Sequence, residues 1–129
     1  MALPYTIKGL DHIVLLVRDL DKSVAFYRML CGRVEERPGH SAHVALGPTQ
    51  HVLLHPDPDY VAQGKNPLQH FNLVVEGSGT VEELLDYVRA NGAEPYYDGP
   101  PNEGRGFFQF RVRDPDGNTV ELRAFMKKE

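Results

Sequence analysis

The side chains of this sequence that could do chemistry together are two histidines and one glutamate, His12, His70 and Glu121. Two imidazoles and one carboxylate can bind a divalent ion from one side and leave its other positions open for substrate, water or oxygen. A strand histidine on its own is more often a hydrogen-bonded structural residue. Here both histidines occupy the same place in an internal repeat, because GLDHIVLLV at 9–17 matches PLQHFNLVV at 67–75. The repeat therefore favours one shared metal site over two unrelated structural histidines.

Each copy of the repeat continues through the same order of elements. The first strand leads into a helix in 19–32, for which Asp21 is the predicted N-cap. The second leads into a helix in 80–92, which begins with a capping box at Thr80 and Glu83. Three short strand candidates follow each helix, at 34–36, 42–46 and 51–55 and then at 94–97, 107–112 and 119–125.

This order of elements predicts an α+β fold made of two βαβββ modules. Module one covers 9–55 and module two covers 68–125, with a linker rich in Pro, Asp and Gly at 56–67. A chain of 129 residues is too short for two full enzyme domains. We therefore expect a single domain over residues 1–129.

Strand alternation assigns the three candidate ligands to one face of the sheet. His12, His70 and Glu121 alternate with apolar neighbours that should pack under the helices. The apolar face is predicted to contain Ile13, Leu15, Val17, Phe71, Leu73, Val75, Val120, Leu122 and Ala124. The ligands are then expected on the opposite, concave face.

Composition and charge exclude several classes of function. Lys and Arg number 14 against 18 Asp and Glu, a net charge of −4, and the absence of a basic patch argues against nucleic-acid binding. No apolar run reaches the ~18 residues of a membrane span, and the first residues lack a signal-peptide pattern. The single cysteine, Cys31, can form neither an internal disulfide nor a cysteine zinc site. We expect a cytoplasmic protein that binds neither nucleic acid nor membranes.

Three segments of the chain resemble the vicinal oxygen chelate superfamily, which contains glyoxalase I, fosfomycin-resistance enzymes, extradiol dioxygenases and bleomycin-resistance proteins. They are GLDHIVLLVRDLDKSVAFYRMLCG, PLQHFNLVV and FQFRVRDPDGNTVELRAF. The resemblance implies a cupped, mostly antiparallel eight-stranded sheet with helices on its outer face. It also puts His12, His70 and Glu121 at the family's positions for one divalent metal ion, which can be Fe, Mn, Zn or Ni.

Departures from the family pattern narrow the activity. Aligning the last strands of the two modules puts Leu53 opposite Glu121, so the fourth ligand of glyoxalase I is missing unless His51 or His55 supplies it. Arg111 stands where extradiol dioxygenases have a tyrosine, which disfavours ring cleavage. The substrate clamp of fosfomycin-resistance enzymes is not evident, and bleomycin-binding relatives lack the metal ligands.

The resemblance implies a metal-dependent lyase, isomerase or dioxygenase acting on a small oxygen-bearing substrate. A fosfomycin-resistance-like thiol transferase or epoxide hydrolase, and a small-molecule- or drug-binding protein, stay open as alternatives. Besides Glu121, two residues are catalytic candidates. Arg105, in a glycine-bounded loop, could pair with an anionic substrate group, and Asn72 could hydrogen-bond substrate or orient a ligand.

Exposed sheet edges and apolar side chains on the ligand face predict a homodimer. The resemblance implies two arrangements. In one, the two modules of a chain pair with each other. In the other, module one pairs with module two of a second chain, so that His12 and His70 of one site come from different subunits. A linker of about 12 residues permits either, and we favour the second.

Overall fold

The computed structural model describes residues 4–6, 10–60, 70–97 and 106–127. Within these ranges the chain forms two helices and seven strands. In chain order they are β1 (His12–Val17), α1 (Leu20–Cys31), β2 (Val34–Arg37), β3 (Ser41–Ala45), β4 (His51–Pro56), β5 (His70–Thr80), α2 (Val81–Ala90), β6 (Phe108–Arg113) and β7 (Thr119–Lys127).

Each half of the chain forms a sheet of its own. The first sheet has the strand order β1-β4-β3-β2, and the second has the order β5-β7-β6. In both sheets the first strand runs parallel to the last, β1 with β4 and β5 with β7, whereas the other neighbours are antiparallel. The α+β prediction is confirmed, and the repeat produces two sheets of similar construction. Because β1 and β5 each pair on one side only among the described strands, both are edge strands.

The single eight-stranded sheet is not confirmed. The described residues form seven strands in two sheets, and no pairing between β1 and β5 joins them. The strand predicted at 94–97 is reduced to one isolated bridge, between Tyr96 and Arg111. Pro95 accounts for this difference, because proline has no N–H to donate to a ladder. The module boundaries stay predictions, since the linker residues 61–67 lie outside the described ranges.

The predicted assignment of faces is confirmed on β1, β5 and β7. The apolar sets that include Leu15, Leu73 and Leu122 lie in or against the buried core. The opposite face of the edge strands is open, with Val14 exposed by 50% and Val74 by 71%. The helices close the other side of the sheets through Val24, Tyr27, Leu85 and Val88.

The helices begin at capping side chains, one of which differs from the prediction. Asp19, not Asp21, is the N-cap of α1, because its carboxylate accepts a hydrogen bond from the Lys22 amide at 3.1 Å. Asp21 lies in the first turn instead, where its charge complements the helix dipole. Thr80 caps α2 as predicted and accepts from the Glu83 amide. Neither described helix is long and apolar enough to cross a membrane.

The turn between β6 and β7, residues 114–118, ties the second half of the chain to α1. The Tyr27 hydroxyl donates to Asp114 Oδ2 at 2.7 Å, and Arg18 Nε donates to Asp116 Oδ1 at 2.9 Å. All three of Tyr27, Asp114 and Asp116 are buried. Burial, together with the charge of Asp114, raises the pKa of Tyr27 well above its ordinary value. The hydroxyl therefore stays protonated and keeps its role as a donor.

The thiol of Cys31 should react slowly in the folded protein. Burial raises its pKa from 9.0 to about 11, so the reactive thiolate is scarce at pH 8. We expect an aromatic disulfide reagent at pH 8 to modify the native chain at least about tenfold more slowly than the urea-unfolded chain. The unfolded chain is its own control, because the sequence has only this cysteine. Equal rates would mean that the end of α1 opens freely.

Candidate metal centre

The parallel strand pairs of the two sheets, β1 with β4 and β5 with β7, have the same register. In the first sheet, Leu53 pairs with the residue two positions beyond His12. In the second, Glu121 pairs with the residue two positions beyond His70, which is Asn72. The registers agree with the alignment made from the sequence. An apolar side chain, Leu53, therefore occupies the place that corresponds to Glu121.

Glu121 is a buried carboxylate with a partner on each oxygen. Asn72 Nδ2 donates to Oε1 at 2.8 Å, and Arg111 Nε donates to Oε2 at 2.7 Å. Its side chain is only 7% exposed, so the charge requires such pairing to be tolerated. His70 Nε2 lies 4.0 Å from Oε1. We call these four residues, His70, Asn72, Arg111 and Glu121, the glutamate cluster.

The glutamate cluster fits a divalent ion in part. Two atoms bonded to one ion at about 2.0–2.2 Å lie at most about 4.4 Å apart. The 4.0 Å between His70 Nε2 and Glu121 Oε1 is within that limit. An ion at Oε1 would compete with the amide of Asn72, while Arg111 would stay on Oε2. The distance between these two of the three predicted ligands is thus compatible with one shared ion.

His12 lies in a different group. Its ring stacks on His51 with centroids 4.9 Å apart, and His51 stacks on His43 at the same distance. These three rings, on β1, β4 and β3, form a histidine row. His12 Nδ1 donates to Asp11 Oδ2 at 2.7 Å, and this hydrogen bond is the main reason that the pKa of Asp11 is lowered.

The three predicted ligands do not come together within one chain. Among the described residues, one set of three potential ligands lies within 4.8 Å of one another, and it is Asp11, His12 and His51. His70 and Glu121 are neighbours without His12. The Asn72 amide contacts Glu121, and Arg105 lies outside the described residues. The roles assigned to these side chains stay predictions.

A model of the glyoxalase/bleomycin resistance protein/dioxygenase superfamily matches residues 9–122 of the chain. The chain belongs to this superfamily. A lactoylglutathione lyase of Salmonella typhimurium is 29% identical over 122 residues, which is 86% of this chain and 88% of that protein. A lactoylglutathione lyase of Arabidopsis thaliana is 28% identical over 119 residues, or 86% of this chain, but the chain spans only 42% of its length.

Two solved structures show the same fold. The fosfomycin resistance protein FosX of Listeria monocytogenes, complexed with Mn(II) and sulfate, superposes with a TM-score of 0.72 at 21% identity. The superposition covers 92% of this chain and 91% of that one. An integron cassette protein from the Halifax Harbour sewage outfall superposes with a TM-score of 0.69 at 24% identity, over 92% and 99% of the two chains. At these identities the likeness extends to the fold alone.

Sequence reasoning missed two features of this superfamily member. Arg111 was read only as a substitution for tyrosine, although alternation along β6 puts it on the same face as Gln109, opposite Glu121. The second is the contact of His12 with His51. The sequence alone suggests His51 only as a replacement for the fourth ligand, after the alignment at Leu53 is shifted by two residues. Both contacts depend on the register of neighbouring strands, which the sequence pattern does not supply.

Proposed function

We propose that the chain is a metal-dependent enzyme that acts on a small oxygen-bearing substrate, with one divalent ion held by His12, His70 and Glu121. The observation that carries this proposal is the approach of His70 Nε2 to Glu121 Oε1, which lie 4.0 Å apart. Two imidazoles and a carboxylate suit Fe, Mn, Zn or Ni equally. The cytoplasmic location stays a prediction.

His12 reaches the site from a second copy of the chain. Both histidines begin edge strands, β1 and β5, whose outer edges have no partner among the described strands. Edge strands favour pairing with another strand. Pairing of β1 with β5 of a partner brings His12 beside the partner's glutamate cluster and covers the exposed Val14 and Val74. A homodimer built in this way has two sites, each using ligands of both subunits.

The chain's own residues prepare these ligands. Asp11 holds the Nδ1 proton of His12, which leaves the Nε2 lone pair free to bind. Arg111 fixes the orientation of the Glu121 carboxylate through a hydrogen bond to Oε2. Asn72, once displaced from Oε1, has a free amide that can donate to a substrate oxygen. The bound ion supplies Lewis-acid stabilisation of negative charge on that oxygen.

Lyase or isomerase chemistry suits these residues better than ring cleavage. The sequence relatives named as lactoylglutathione lyases favour a lyase. The absence of the fourth ligand at Leu53 separates the chain from glyoxalase I. A thiol transferase or epoxide hydrolase like the fosfomycin-resistance enzymes needs only two histidines and one glutamate. We therefore propose metal-assisted chemistry on a small substrate, without naming a particular substrate.

One observation favours a second function, the binding of a small molecule without a metal. The Arg111–Glu121 ion pair already neutralises the buried carboxylate, so a metal is not required for charge balance. The open apolar face with Val14 and Val74 would then contact an apolar ligand. The metal content of the purified protein separates the two functions.

The test compares metal retained through gel filtration by protein made without a histidine tag. Wild-type protein is expected to retain close to one ion per chain, and His70→Ala is expected to lose it, because one of three ligands is gone. His55→Ala is the matched control, since this exposed strand histidine is outside both groups. If wild type and His70→Ala retain equal traces of metal after equal loading, the metal-dependent enzyme is wrong and binding of a small molecule without a metal is the function.

A further inference from the structure

The group around His12 has the composition of a metal site in its own right. One ligand atom each of Asp11, His12 and His51 lies within 4.8 Å of the others. These are a carboxylate and two imidazoles, the same kinds of ligand that the superfamily resemblance places at His12, His70 and Glu121. None of the three residues belongs to the second sheet. All three are accessible, with the side chain of His12 exposed by 41% and that of Asp11 by 78%.

The geometry of the strands holds these atoms on one face. His12 and His51 are direct partners across the parallel pair β1 and β4, so their side chains project in the same direction. Their rings are nearly parallel, with an interplanar angle of 16°. Exposed imidazoles can rotate about their side-chain bonds at little cost, which lets the nitrogens converge on an ion. His43 extends the row beyond His51 and can serve as an additional ligand.

Space for the remaining coordination positions is present next to the row. His43 and His51 line a surface cavity of about 190 Å³, together with Glu35 and Gln50. A cavity of this size can hold several waters. A bound ion would therefore be open to solvent on one side.

We propose that Asp11, His12 and His51, extended by His43, form a second divalent-cation site that lies wholly within the first sheet and takes Zn²⁺, Ni²⁺ or Co²⁺. Imidazole and carboxylate ligands suit these borderline ions. The ion takes the place of the proton that His12 Nδ1 shares with Asp11, and that proton moves to Nε2, so the imidazole stays neutral. The site goes beyond the proposed function and does not depend on it.

The two sites exclude one another through the proton of His12. In the shared site, Nδ1 keeps its proton on Asp11 and Nε2 binds the ion. In the first-sheet site, Nδ1 binds the ion and the ring proton moves to Nε2. A neutral imidazole has one free lone pair, so it cannot serve both ions. The first-sheet site is thus filled when His12 is not engaged with His70 and Glu121, as in a chain without its partner.

The test uses the full chain without a tag, with His70→Ala and Glu121→Gln combined as the background. These changes remove the shared site and leave the first sheet untouched. Titration with Co²⁺, followed by visible absorption, is expected to show one ion bound per chain, which the exposed ligands hold weakly enough for gel filtration to remove it. Adding His51→Ala is expected to weaken that binding at least about tenfold, since one ligand is lost. Adding His55→Ala on the same strand is expected to change nothing.

A second readout locates the ion and checks folding. Substoichiometric Co²⁺ should broaden the imidazole proton resonances of His12, His43 and His51 and spare that of His55. Circular dichroism should be unchanged by His51→Ala, because the side chain is not in the core. A background variant that binds no Co²⁺, or binding that His51→Ala leaves unaltered, overturns the proposal.

The outcomes for the two sites are distinct. Introduced into the wild-type chain, His51→Ala is expected to leave the metal retained through gel filtration unchanged. If it removes that metal while the His70→Ala, Glu121→Gln background still binds Co²⁺, the shared site is wrong and the first-sheet site stands. If the background binds nothing while wild type retains its metal, the first-sheet site is wrong and the shared site stands.

Discussion

Replacing Asp114 by alanine is expected to lower the free energy of unfolding by about 3–5 kcal/mol. Its buried carboxylate accepts four hydrogen bonds, from the Tyr27 hydroxyl, the Asp116 amide, and both the main-chain and side-chain amides of Asn118. The substitution leaves the fully buried Tyr27 hydroxyl without its acceptor and removes the side chain that organises the 114–118 turn. Urea denaturation followed by circular dichroism measures the loss.

A double-mutant cycle with Tyr27→Phe tests the mechanism of this loss. The phenylalanine variant removes one donor and leaves three, so its own cost should be smaller, about 1–2 kcal/mol. On that background Asp114→Ala should cost about 1 kcal/mol less than in wild type, because no hydroxyl is left without a partner. Asp59→Ala, at an exposed turn, is the control and should stay within about 0.5 kcal/mol. A cost below about 1 kcal/mol for Asp114→Ala contradicts the role of the turn.

Mixing two variants that each lose their metal in gel filtration is expected to restore metal retention. His12→Ala and His70→Ala each break every shared site of their own homodimers. After unfolding and refolding together, half of the dimers should be mixed, and each mixed dimer has one intact site and one doubly broken site. The mixture should then retain about one ion for every four chains, against one per chain in wild type. Metal analysis after gel filtration gives this ratio.

The control mixture combines His70→Ala with Glu121→Ala. Both changes affect the same half of each site, so a mixed dimer regains none, whatever the arrangement of the chains. A tagged and an untagged variant, separated by affinity and then freed of the tag, verify that subunits have exchanged. If exchange is verified and the first mixture retains no more metal than the control, the site is formed within one chain.

The parts of the fold set by local pattern were predictable from the sequence. Alternation along β1 and β5 assigned His12 and His70 to the open face, because side chains in a strand have a period of two. Thr80 was identified as a cap because Glu83 completes its capping box. Asp19 was not preferred over Asp21, since both are aspartates near the start of one helix. Only the contact with the Lys22 amide distinguishes them.

The parts set by contacts across the sheet were not predictable. Nothing in the pattern around Glu121 states that Arg111 would be its partner, since that requires the register of β6 against β7. The strand that pairs with the outer edge of β1 likewise depends on how the chains assemble. The same repeat permits a partner within the chain or from a second chain. The separation of His12 from His70 and Glu121 is therefore information that the three-dimensional arrangement adds.

The tie between α1 and the 114–118 turn also sets the order in which the chain can mature during synthesis. Tyr27 and its acceptor are 87 residues apart, and Arg18 and Asp116 are 98 apart. At translation rates of about 5–20 residues per second, roughly 4–20 s separate the synthesis of the donor from that of the acceptor. During this interval the carboxylates that accept from Tyr27 and Arg18 have not yet been made. The packing of α1 can therefore be completed only after the last hairpin has been synthesised.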